Sequence, residues 1–372
     1  MKIALVYDRI NKYGGAERVL EALHDIWPDA PLYTAVYDKK NAVWAEGWDI
    51  RPSFLNTIPW VRKRHEWLAW ITPFAFESFS FDEYDVVLSI TSAEAKGIIT
   101  KPETIHICYC LTPTRYLWSG SASYKQQNNF GIFDTVGKWI FTRMLPMLKR
   151  WDIIAAARPD AYIGISKRVQ ERIASYYNKK DVPIIYPPVQ TEVFSRAKPD
   201  TAPLQYIYVS RLVPYKRADL VIDAFNQLGL PLLVIGQGNQ RKQLQKMAKK
   251  NISFITHHLT DKELVSYYQK CKSFVFASDE DFGIVVGEAQ SAGVPAIVYS
   301  QSGAAEIIEH GVTGIIFETQ TVEAIVNAIK KCETIPWDRT LIAEKAKRFD
   351  TKRFQNEIQK FVDKQRERKQ KI

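Results

Sequence analysis

The sequence contains few cysteines and no long apolar segment. Its four cysteines, Cys108, Cys110, Cys271 and Cys332, include no Cys-x-x-Cys pair. This usage is not that of a disulfide framework or a cysteine zinc site, and it predicts reduced thiols in a cytosolic protein. No stretch approaches the roughly 20 apolar residues of a membrane-spanning helix. The N-terminal residues MKIALVYDRI lack the pattern of a signal peptide and predict a first buried strand.

Positive charge is what the sequence has in excess. It contains 51 Lys and Arg against 41 Asp and Glu, a net charge of +10 at pH 7. Such a balance favours a polyanionic partner, which is a nucleic acid, an anionic membrane surface or a phosphorylated substrate. No nucleic-acid recognition motif accompanies the charge, so we expect no nucleic-acid partner.

Aromatic and basic residues are interleaved in two segments, 54–76 and 137–154. The first reads FLNTIPWVRKRHEWLAWITPFAF and the second GKWIFTRMLPMLKRWDII. Trp and Phe on one face, with Lys and Arg on the other, are typical of a helix that lies in a membrane interface. Two ordinary amphipathic helices with basic stems lying along apolar surface are the alternative. We favour the hypothesis of contact with an anionic membrane surface.

Apolar, β-branched runs alternate with helical patterns along most of the chain. Five such runs precede a Pro-rich, polar stretch at 186–203, and six follow it. This alternation predicts parallel sheets with helices on both faces. We therefore predict an α/β protein with two doubly wound, Rossmann-like domains, 1–193 and 194–351, facing a central cleft. The segment 352–372 is predicted to be a helix that packs back on the first domain, with contact with a membrane or a solvated end as the alternatives.

Residues that directly follow strands are the first candidates for a binding site, because open parallel sheets bind ligands there. Gly14 and Gly15 open a helix after the first strand, and free N–H groups at a helix start attract phosphate. Arg211 and Lys216 flank a loop after the first strand of the second domain, where two cations can clamp a diphosphate. A plain strand-to-helix turn and a solvated basic loop are the respective alternatives.

The segment ASDEDFGIVVGEAQSAGVP, residues 277–295, places two carboxylates around a helix start. Amides near Gly283 and Ile284 can hold a phosphate. Glu280 and Glu288 repel phosphate but can accept hydrogen bonds from the sugar hydroxyls on either side of the diphosphate in a nucleoside diphosphate sugar. In the alternative, Glu280 is an acidic first-turn residue and Glu288 is solvated. However, Glu288 lies among apolar residues, where an unpartnered carboxylate is costly.

A fourth candidate group follows the strand at 105–110. The residues HICYCLTPTRYLW, 106–118, bring polar and aromatic side chains to a strand end, which suits a polyhydroxylated ligand. Thr112 and Arg115 belong to this group, and a structural corner is the alternative. His106 lies inside the strand, and we interpret it as a core or edge histidine and not as a catalyst.

Together these motifs resemble the GT-B glycosyltransferases of family 4. The similar segments span nearly the whole chain and include YGGAERVL, CYCLTPTRYLW, VSRLVPYKRADLVIDAF and EDFGIVVGEAQSAGVPAIVY. The glutamate pair corresponds to that family's E-x7-E motif. The motif sequences are most similar to those of the mannosyltransferase-like branch that acts in bacterial O-antigen, lipopolysaccharide and exopolysaccharide assembly. The resemblance implies a GT-B fold, with 1–193 on the acceptor side and 194–351 binding the nucleotide sugar.

The implied activity is that of a retaining glycosyltransferase. It would move a hexose, with mannose from GDP-mannose favoured, to a lipid-linked or polysaccharide-precursor acceptor and give an α-glycoside. The implied acceptor is a polyprenyl-diphosphate-linked glycan. The implied location is the cytoplasm, peripherally on the inner face of the plasma membrane. The resemblance implies no covalent nucleophile, no cofactor and no metal.

The resemblance also assigns roles to individual residues. Arg211 and Lys216 would neutralise the leaving diphosphate. Glu280 would bind hydroxyls of the transferred sugar, and Glu288 would bind the ribose. The other implied donor contacts are Gly14, Gly15, Phe282, Gly283 and Ile284. The implied sugar or acceptor contacts are Leu111, Thr112 and Arg115.

Two positions depart from the family pattern. The family's Y-C-H-T-P stretch reads YCLTP here, so Leu111 stands where an active-site histidine is expected. Ser302 stands where a glycine is usual, ahead of Glu306. A catalytically impaired GT-B pseudoenzyme that binds nucleotide sugar or a partner transferase is therefore an alternative, although the intact cationic and glutamate pairs argue against it. A GT-B enzyme of another reaction class, such as a nucleotide-sugar epimerase, is a further alternative.

Overall fold

The computed structural model describes residues 1–58, 70–119, 134–195 and 205–371, and for 134–141 it describes the backbone alone. The chain divides into two units. Unit 1 comprises Met1–Tyr186 and Gln355–Ile372, and unit 2 comprises Pro187–Phe354.

Unit 1 is built on a six-stranded sheet with the strand order β3-β2-β1-β4-β5-β6. Every pair of neighbouring strands is parallel. The central strands are buried along their whole length, as expected for a sheet covered on both faces. The strands are β1 (Ile3–Tyr7), β2 (Leu32–Thr34), β3 (Ile50–Pro52), β4 (Val86–Thr91), β5 (Ile105–Cys110) and β6 (Ala161–Gly164).

Four of the helices in the described residues belong to the larger segment of unit 1. They are α1 (Gly15–Ile26), α2 (Thr72–Glu77), α3 (Asp134–Ala157) and α4 (Lys167–Tyr177). Helix α4 begins after Ser166, whose hydroxyl accepts a hydrogen bond from the Val169 amide, the usual N-cap contact. It ends at Asn178 in the left-handed conformation, which asparagine tolerates better than most residues.

Unit 2 repeats this architecture with the strand order β12-β11-β10-β7-β8-β9, again all parallel. Its strands are β7 (Gln205–Val209), β8 (Leu232–Ile235), β9 (Ile252–Ile255), β10 (Cys271–Phe276), β11 (Ala296–Tyr299) and β12 (Gly314–Phe317). Its helices are α5 (Thr191–Ser195), α6 (Ala218–Leu228), α7 (Arg241–Met247), α8 (Asp261–Gln269), α9 (Ile284–Ser291), α10 (Val322–Glu333) and α11 (Arg339–Ala346). The predicted doubly wound α/β architecture is confirmed in each unit.

The boundary between the units differs from the predicted one. Unit 2 begins at Pro187, seven residues before the predicted start of the second domain at 194. The reason is the short helix α5, whose Phe194 is buried with its ring centroid 5.8 Å from that of Tyr268. An apolar anchor therefore ties the end of the Pro-rich stretch to unit 2.

The last helix, α12 (Thr351–Gln370), returns to unit 1. The Gln355 side chain donates a hydrogen bond of 3.1 Å to the carbonyl of Ala22 in α1. Near the other end, Lys369 Nζ donates to the Thr104 carbonyl at 3.0 Å. Among the helices described, none is both long enough and apolar enough to cross a membrane.

Candidate functional site

The strand order of unit 2 reverses between β7 and β10, which are paired at the centre of the sheet. Strands added after β7 lie on one side, and those added after β10 lie on the other. Ligands of open α/β sheets bind at such a reversal, beyond the carboxyl ends of the strands. The loops that leave β7 and β10 carry Arg211, Lys216 and Glu280.

Two glycines in the loop after β8 allow the backbone of the loop after β7 to approach it closely. A Cβ atom on Gly236 would lie 1.9 Å from the Ser210 carbonyl oxygen, and one on Gly238 would lie 2.1 Å from that of Leu212. The Leu212 amide donates a 2.7 Å hydrogen bond to the Gln237 carbonyl between these glycines. Our sequence interpretation did not include Gly236 and Gly238. Their signal was a GQG triplet directly after an apolar run.

Lys216 and Glu280 are brought together as an ion pair. Lys216 Nζ lies 2.5 Å from Glu280 Oε1, and their side chains are 11% and 18% exposed. The Lys216 carbonyl accepts hydrogen bonds from the hydroxyls of Tyr208 at 3.0 Å and Ser278 at 2.9 Å. The Ser278 hydroxyl therefore links the loop after β10 to the loop after β7 by a hydrogen bond, in addition to the ion pair.

Arg211 lies in the same loop and is exposed. Its guanidinium Nη2 donates a 2.6 Å hydrogen bond to the Tyr215 hydroxyl. The ammonium of Lys216 lies 5.3 Å from the centroid of the same ring, within cation–π distance. Tyr215, which our sequence interpretation did not single out, thus contacts both predicted cations.

Helix α9 starts at a glycine that the geometry requires. Gly283, its N-cap, has φ of 86°, and a Cβ there would lie 2.9 Å from the Cβ of Ala304. Because glycine has no side chain, the amides of the first turn are not capped by the residue that precedes Ile284, and such amides favour an anion. Phe282 is buried next to this turn, with its ring centroid 5.6 Å from that of Phe349.

The two glutamates occupy different environments. Glu288 lies in the second turn of α9 and is 2% exposed, so the solvated alternative for this residue is wrong. Glu280 precedes the helix and lies in the loop after β10, so the interpretation as a first-turn residue of α9 is wrong as well. A buried carboxylate and a partly exposed one therefore lie on either side of the helix start at Gly283.

The strand order of unit 1 reverses between β1 and β4, and its first loop holds the predicted glycines. Gly14 is the N-cap of α1 and Gly15 is its first residue, with no side-chain capping bond. The buried Glu17 in the first turn accepts a 2.7 Å hydrogen bond from the Tyr7 hydroxyl. Burial, reinforced by this carboxylate, raises the pKa of Tyr7 well above its ordinary value.

Asp8 ties the two central loops of unit 1 together. This buried carboxylate accepts hydrogen bonds from the Thr91 hydroxyl at 2.8 Å, the Ser92 amide at 2.7 Å and the Ala95 amide at 2.9 Å. A carboxylate at the end of β1 thereby fixes the loop that follows β4. Our sequence interpretation did not include Asp8.

Glu94 is a second buried carboxylate in the same loop. It lies 3.3 Å from Arg9 Nη2 and accepts a short hydrogen bond from the Tyr116 hydroxyl. Burial raises the pKa of Glu94, and it also raises that of Tyr116. The loop after β4 is therefore tied to the loop after β5 by a buried polar contact.

The loop after β5 carries Leu111, Thr112 and Arg115. Leu111 is partly exposed, and its amide donates a 2.8 Å hydrogen bond to the Thr91 carbonyl. Thr112 is 5% exposed, and among the residues described its hydroxyl has no hydrogen-bond partner. Arg115 is partly exposed. The structure places these predicted residues together at the carboxyl edge of the sheet.

A buried network beneath this loop holds it in place. Lys96 Nζ lies 2.6 Å from Asp152 Oδ1 and donates to the Thr114 hydroxyl at 2.8 Å. Asp152 also accepts from Trp118 Nε1 at 2.7 Å and from the Tyr177 hydroxyl at 2.9 Å. Although burial opposes its charge, the Asp152 carboxylate holds the pKa of Lys96 above the ordinary value.

His106 lies in the middle of the unit 1 sheet. Its ring is fully buried, with Nε2 at 2.8 Å from the Ser89 hydroxyl oxygen. Burial, together with the charge of Arg158, lowers the pKa of His106 to about 3. The interpretation of His106 as a core residue is confirmed. The four cysteines are free thiols, and all are buried.

The second half of the chain matches a known family. Residues 189–352 match the family described as glycosyl transferases group 1. An uncharacterised glycosyltransferase of Methanocaldococcus jannaschii is 25% identical over 203 residues, which cover 53% of this chain and 56% of the relative. A GDP-mannose-dependent alpha-(1-6)-phosphatidylinositol monomannoside mannosyltransferase of Mycobacterium tuberculosis is 29% identical over 141 residues. These cover 33% of this chain and 36% of the relative. The chain thus spans about half, or less, of the length of these curated relatives.

Solved structures resemble the chain over nearly its whole length. HepE from Anabaena, crystallised in complex with UDP, superposes with a TM-score of 0.70 at 18% identity and covers 98% of this chain and 100% of its own. At this identity the likeness establishes the fold, and the predicted GT-B fold is confirmed. The family match and the glycosyltransferase relatives support a transferase. Residues 189–352 therefore match the glycosyl transferases group 1 family, in a chain that has the GT-B fold.

Proposed function

We propose that the protein is a retaining glycosyltransferase that moves a hexose from a nucleoside diphosphate sugar to a lipid-linked or polysaccharide-precursor acceptor, giving an α-glycoside. The observation that carries this proposal is the ion pair between Lys216 and Glu280 at the strand-order reversal of unit 2. It joins a cation suited to a diphosphate with an acceptor suited to sugar hydroxyls. The family match covers the same residues, which supports the assignment.

The cations stabilise the leaving group. Arg211 presents a planar fork of donors and Lys216 a point charge, so together they offset the negative charge that develops on the departing diphosphate. The amides at the start of α9, at Phe282, Gly283 and Ile284, add backbone donors to the same anion and to the sugar. The acceptor hydroxyl attacks the anomeric carbon on the face from which the diphosphate leaves, so no covalent nucleophile takes part.

This charge arrangement takes the place of a metal ion in the proposed reaction, which needs no cofactor. Transfer in excess EDTA at the rate seen without chelator is the expected result. A rate that falls with EDTA and returns with Mg²⁺ or Mn²⁺ would contradict this part of the proposal.

The glutamates recognise the two sugars of the donor. Glu280, in the loop, accepts hydrogen bonds from hydroxyls of the transferred hexose, while the buried Glu288 accepts them from the ribose. In unit 1 we assign phosphate contacts to Gly14 and Gly15 at the start of α1. The proposed sugar or acceptor contacts there are Leu111, Thr112 and Arg115.

GDP-mannose is the proposed donor. The Mycobacterium tuberculosis relative is named as GDP-mannose-dependent, which favours this nucleotide. The HepE structure contains UDP, which makes the UDP-sugars the comparison set. The proposed acceptor is a polyprenyl-diphosphate-linked glycan of O-antigen, lipopolysaccharide or exopolysaccharide assembly, reached from the cytoplasmic face of the plasma membrane.

A thermal-shift panel tests the donor site. GDP, UDP, GDP-mannose, UDP-glucose, UDP-galactose and UDP-GlcNAc are added to the wild type and to Glu288→Ala. A ligand at 100 times its Kd stabilises the folded state by about 2.7 kcal/mol, so the Tm should rise clearly with the guanosine compounds and less in the variant. A rise with the uridine compounds alone would replace GDP by UDP in the proposal. No rise with any compound would overturn the proposed function.

An anionic membrane surface is the second proposed partner, and α3 supports it. Arg143, Met147, Arg150 and Ile154 are all exposed and recur at spacings of four, three and four residues, so they share one stripe of the helix. Met147 is 52% exposed and Ile154 59% exposed. Apolar anchors alternating with arginines suit a headgroup boundary. Of the two predicted segments, residues 59–69 and the side chains of 137–141 lie outside the described residues.

The short helix α2 adds to this surface. Phe74 is 60% exposed and Trp70, just before the helix, is 41% exposed. Glu77 at the end of α2 accepts a 2.9 Å hydrogen bond from Trp151 Nε1 and pairs with Arg158 at 2.7 Å, so α2 and α3 lie side by side. We name the exposed apolar residues Trp70, Phe74, Met147 and Ile154 the α2–α3 surface.

Vesicle flotation tests the membrane contact. The wild type should float with anionic vesicles at low salt, and Met147→Glu/Ile154→Glu should reduce the bound fraction by about tenfold, because two apolar anchors are lost. Leu341→Glu is the matched control, since Leu341 is an exposed apolar residue on α11 of unit 2. Equal flotation of wild type and double variant would exclude the α2–α3 surface, and a wild type that stays soluble would exclude the partner.

A further inference from the structure

The turn after β11 is hydrogen-bonded to the backbone of Glu280. Ser302 is 3% exposed, and its hydroxyl oxygen accepts hydrogen bonds from the amides of Glu280 and Ala304, each at 3.2 Å. The amide of the next residue, Gly303, donates a 2.7 Å hydrogen bond to the Glu280 carbonyl. Both polar backbone groups of Glu280 are therefore held by two consecutive residues of this turn.

The turn lies in close contact with the loop that it holds. A Cβ atom on Gly303 would lie 2.1 Å from the carbonyl oxygen of Asp281, so the two backbones touch. The following residue, Ala304, lies against the N-cap glycine of α9 at Gly283. Residues 302–304 thus contact both the loop that carries Glu280 and the start of the helix proposed to hold the diphosphate.

A hydroxyl at position 302 has a specific consequence. A glycine at this position would have no side-chain oxygen, so it could not accept a hydrogen bond from the Glu280 amide in this way. The Ser302 backbone is extended, with φ of −89° and ψ of 142°, a conformation that most residues adopt without strain. Hydrogen bonding by the side chain, and not a backbone requirement, is therefore what serine contributes here.

We propose that Ser302 is a positioning residue for sugar recognition, acting through Glu280. Its hydroxyl fixes the backbone from which the Glu280 side chain extends, and so sets where that carboxylate meets the transferred hexose. This inference rests on the proposed function, because it assigns to Glu280 the contact with the donor sugar. It predicts that Ser302 affects recognition of the sugar and leaves recognition of the nucleotide unchanged.

Calorimetric titration of two ligands separates these effects. The Kd of the donor nucleotide sugar and that of the matching nucleoside diphosphate are measured for wild type, Ser302→Ala and Ser302→Gly. Loss of one hydrogen bond to the loop should weaken sugar-nucleotide binding by about fivefold to tenfold and change nucleoside diphosphate binding by less than about twofold. Ser302→Gly, which also removes the hydroxyl, keeps the test available if Ser302→Ala folds poorly.

Thr321→Ala is the matched control. The Thr321 hydroxyl accepts a 3.2 Å hydrogen bond from the Ala324 amide at the start of α10, a side-chain contact of the same length at an exposed position of unit 2. This change should leave both dissociation constants unaltered. The proposal would be overturned if Ser302→Ala weakened the binding of both ligands equally, or if Thr321→Ala weakened binding as well. Either result would show that Ser302 has a general structural role.

A double-mutant cycle tests whether Ser302 acts through Glu280. In a Glu280→Ala background, Ser302→Ala should produce no further loss of sugar-nucleotide affinity, because the group that it positions is gone. A further fivefold loss would contradict the inference. Wild-type protein that binds no nucleotide would instead reject the proposed function itself, so the two failures are distinguishable.

Discussion

The two strand-order reversals of the molecule are built from similar elements, but their charged side chains differ in exposure. In unit 1, the carboxylates of Asp8 and Glu94 are almost fully buried and bonded to neighbouring loops. In unit 2, Lys216 and Glu280 remain 11% and 18% exposed. Buried, bonded charges fix loops, whereas a partly exposed pair at a helix start can exchange its partner for a ligand. We therefore propose that the buried charges of unit 1 hold its loops in place and that the ion pair of unit 2 binds the donor.

The largest effect expected in this comparison is on the stability of unit 1. Asp152→Ala leaves the ammonium of Lys96 buried without its carboxylate, so the free energy of unfolding should fall by about 3–5 kcal/mol. Urea denaturation measures this change. The exposed pair of Lys2 and Glu83, 3.5 Å apart, provides the control, and Glu83→Ala should cost about 1 kcal/mol or less. Similar losses of unfolding free energy in both variants would show that the buried ion pair contributes no more to stability than an exposed one.

Lys216→Ala should show the opposite pattern, a large loss of activity with little loss of stability. Removing one preorganised cation from the leaving group should lower kcat by about 10²–10³-fold. A transfer assay with GDP-mannose, run beside urea denaturation, separates the two effects. Lys272→Ala is the control, because Lys272 pairs with Glu333 at 3.7 Å on the surface of the same unit. Unchanged kcat in Lys216→Ala would remove the main support for the proposed chemistry.

His106 makes unit 1 sensitive to acid. Its pKa is about 3 in the folded state, because of burial and the charge of Arg158, and about 6.5 when unfolded. Below pH 6.5 the unfolded chain therefore binds a proton that the folded chain does not, and stability falls by about 1.4 kcal/mol per pH unit until the folded pKa is reached. Between pH 7 and 5, wild type should lose about 2 kcal/mol more than His106→Gln.

Urea denaturation at each pH gives these differences. His258→Gln, at an exposed histidine of unit 2, is the control variant. Parallel pH profiles for wild type and His106→Gln would show that the buried ring does not govern acid sensitivity.

The contrast between the units also explains what the sequence could predict. Parallel strands that are covered on both faces read as continuous apolar runs, so both sheets were recognisable. Motif residues such as Lys216 and Glu280 follow those runs directly. Their direct ion pairing was not predictable, because it depends on how two loops far apart in sequence meet at the reversal.

The carboxylates of unit 1 were missed for a related reason. Asp8 lies in YDRI and Glu94 in SAEAKG, and both local sequences look like solvated strand ends. Their burial follows from contacts more than 80 residues away along the chain, such as that between Asp8 and Thr91. The boundary at Pro187 was missed similarly, because the Pro-rich composition of 186–203 concealed Phe194 as an apolar anchor of unit 2.

The smallest expected effect on stability concerns Thr112. The buried carboxylates of unit 1 are hydrogen-bonded within the protein, and the Thr112 hydroxyl differs from them. This buried hydroxyl has no hydrogen-bond partner among the described residues, so Thr112→Val should change the free energy of unfolding by less than about 0.5 kcal/mol. Thr114→Val, which removes a hydroxyl bonded to Asp152 at 2.6 Å, should cost about 1–3 kcal/mol.

If the Thr112 hydroxyl contacts the sugar or the acceptor, Thr112→Val should still lower the transfer rate by about fivefold, the value of one hydrogen bond made only to a ligand. Stability and turnover would then separate at a residue of unit 1, as we expect them to do at Lys216 in unit 2. Full activity in Thr112→Val would confine ligand recognition in this loop to Leu111 and Arg115. A loss of stability matching that of Thr114→Val would show that the hydroxyl is bonded within the protein and has no need of a ligand.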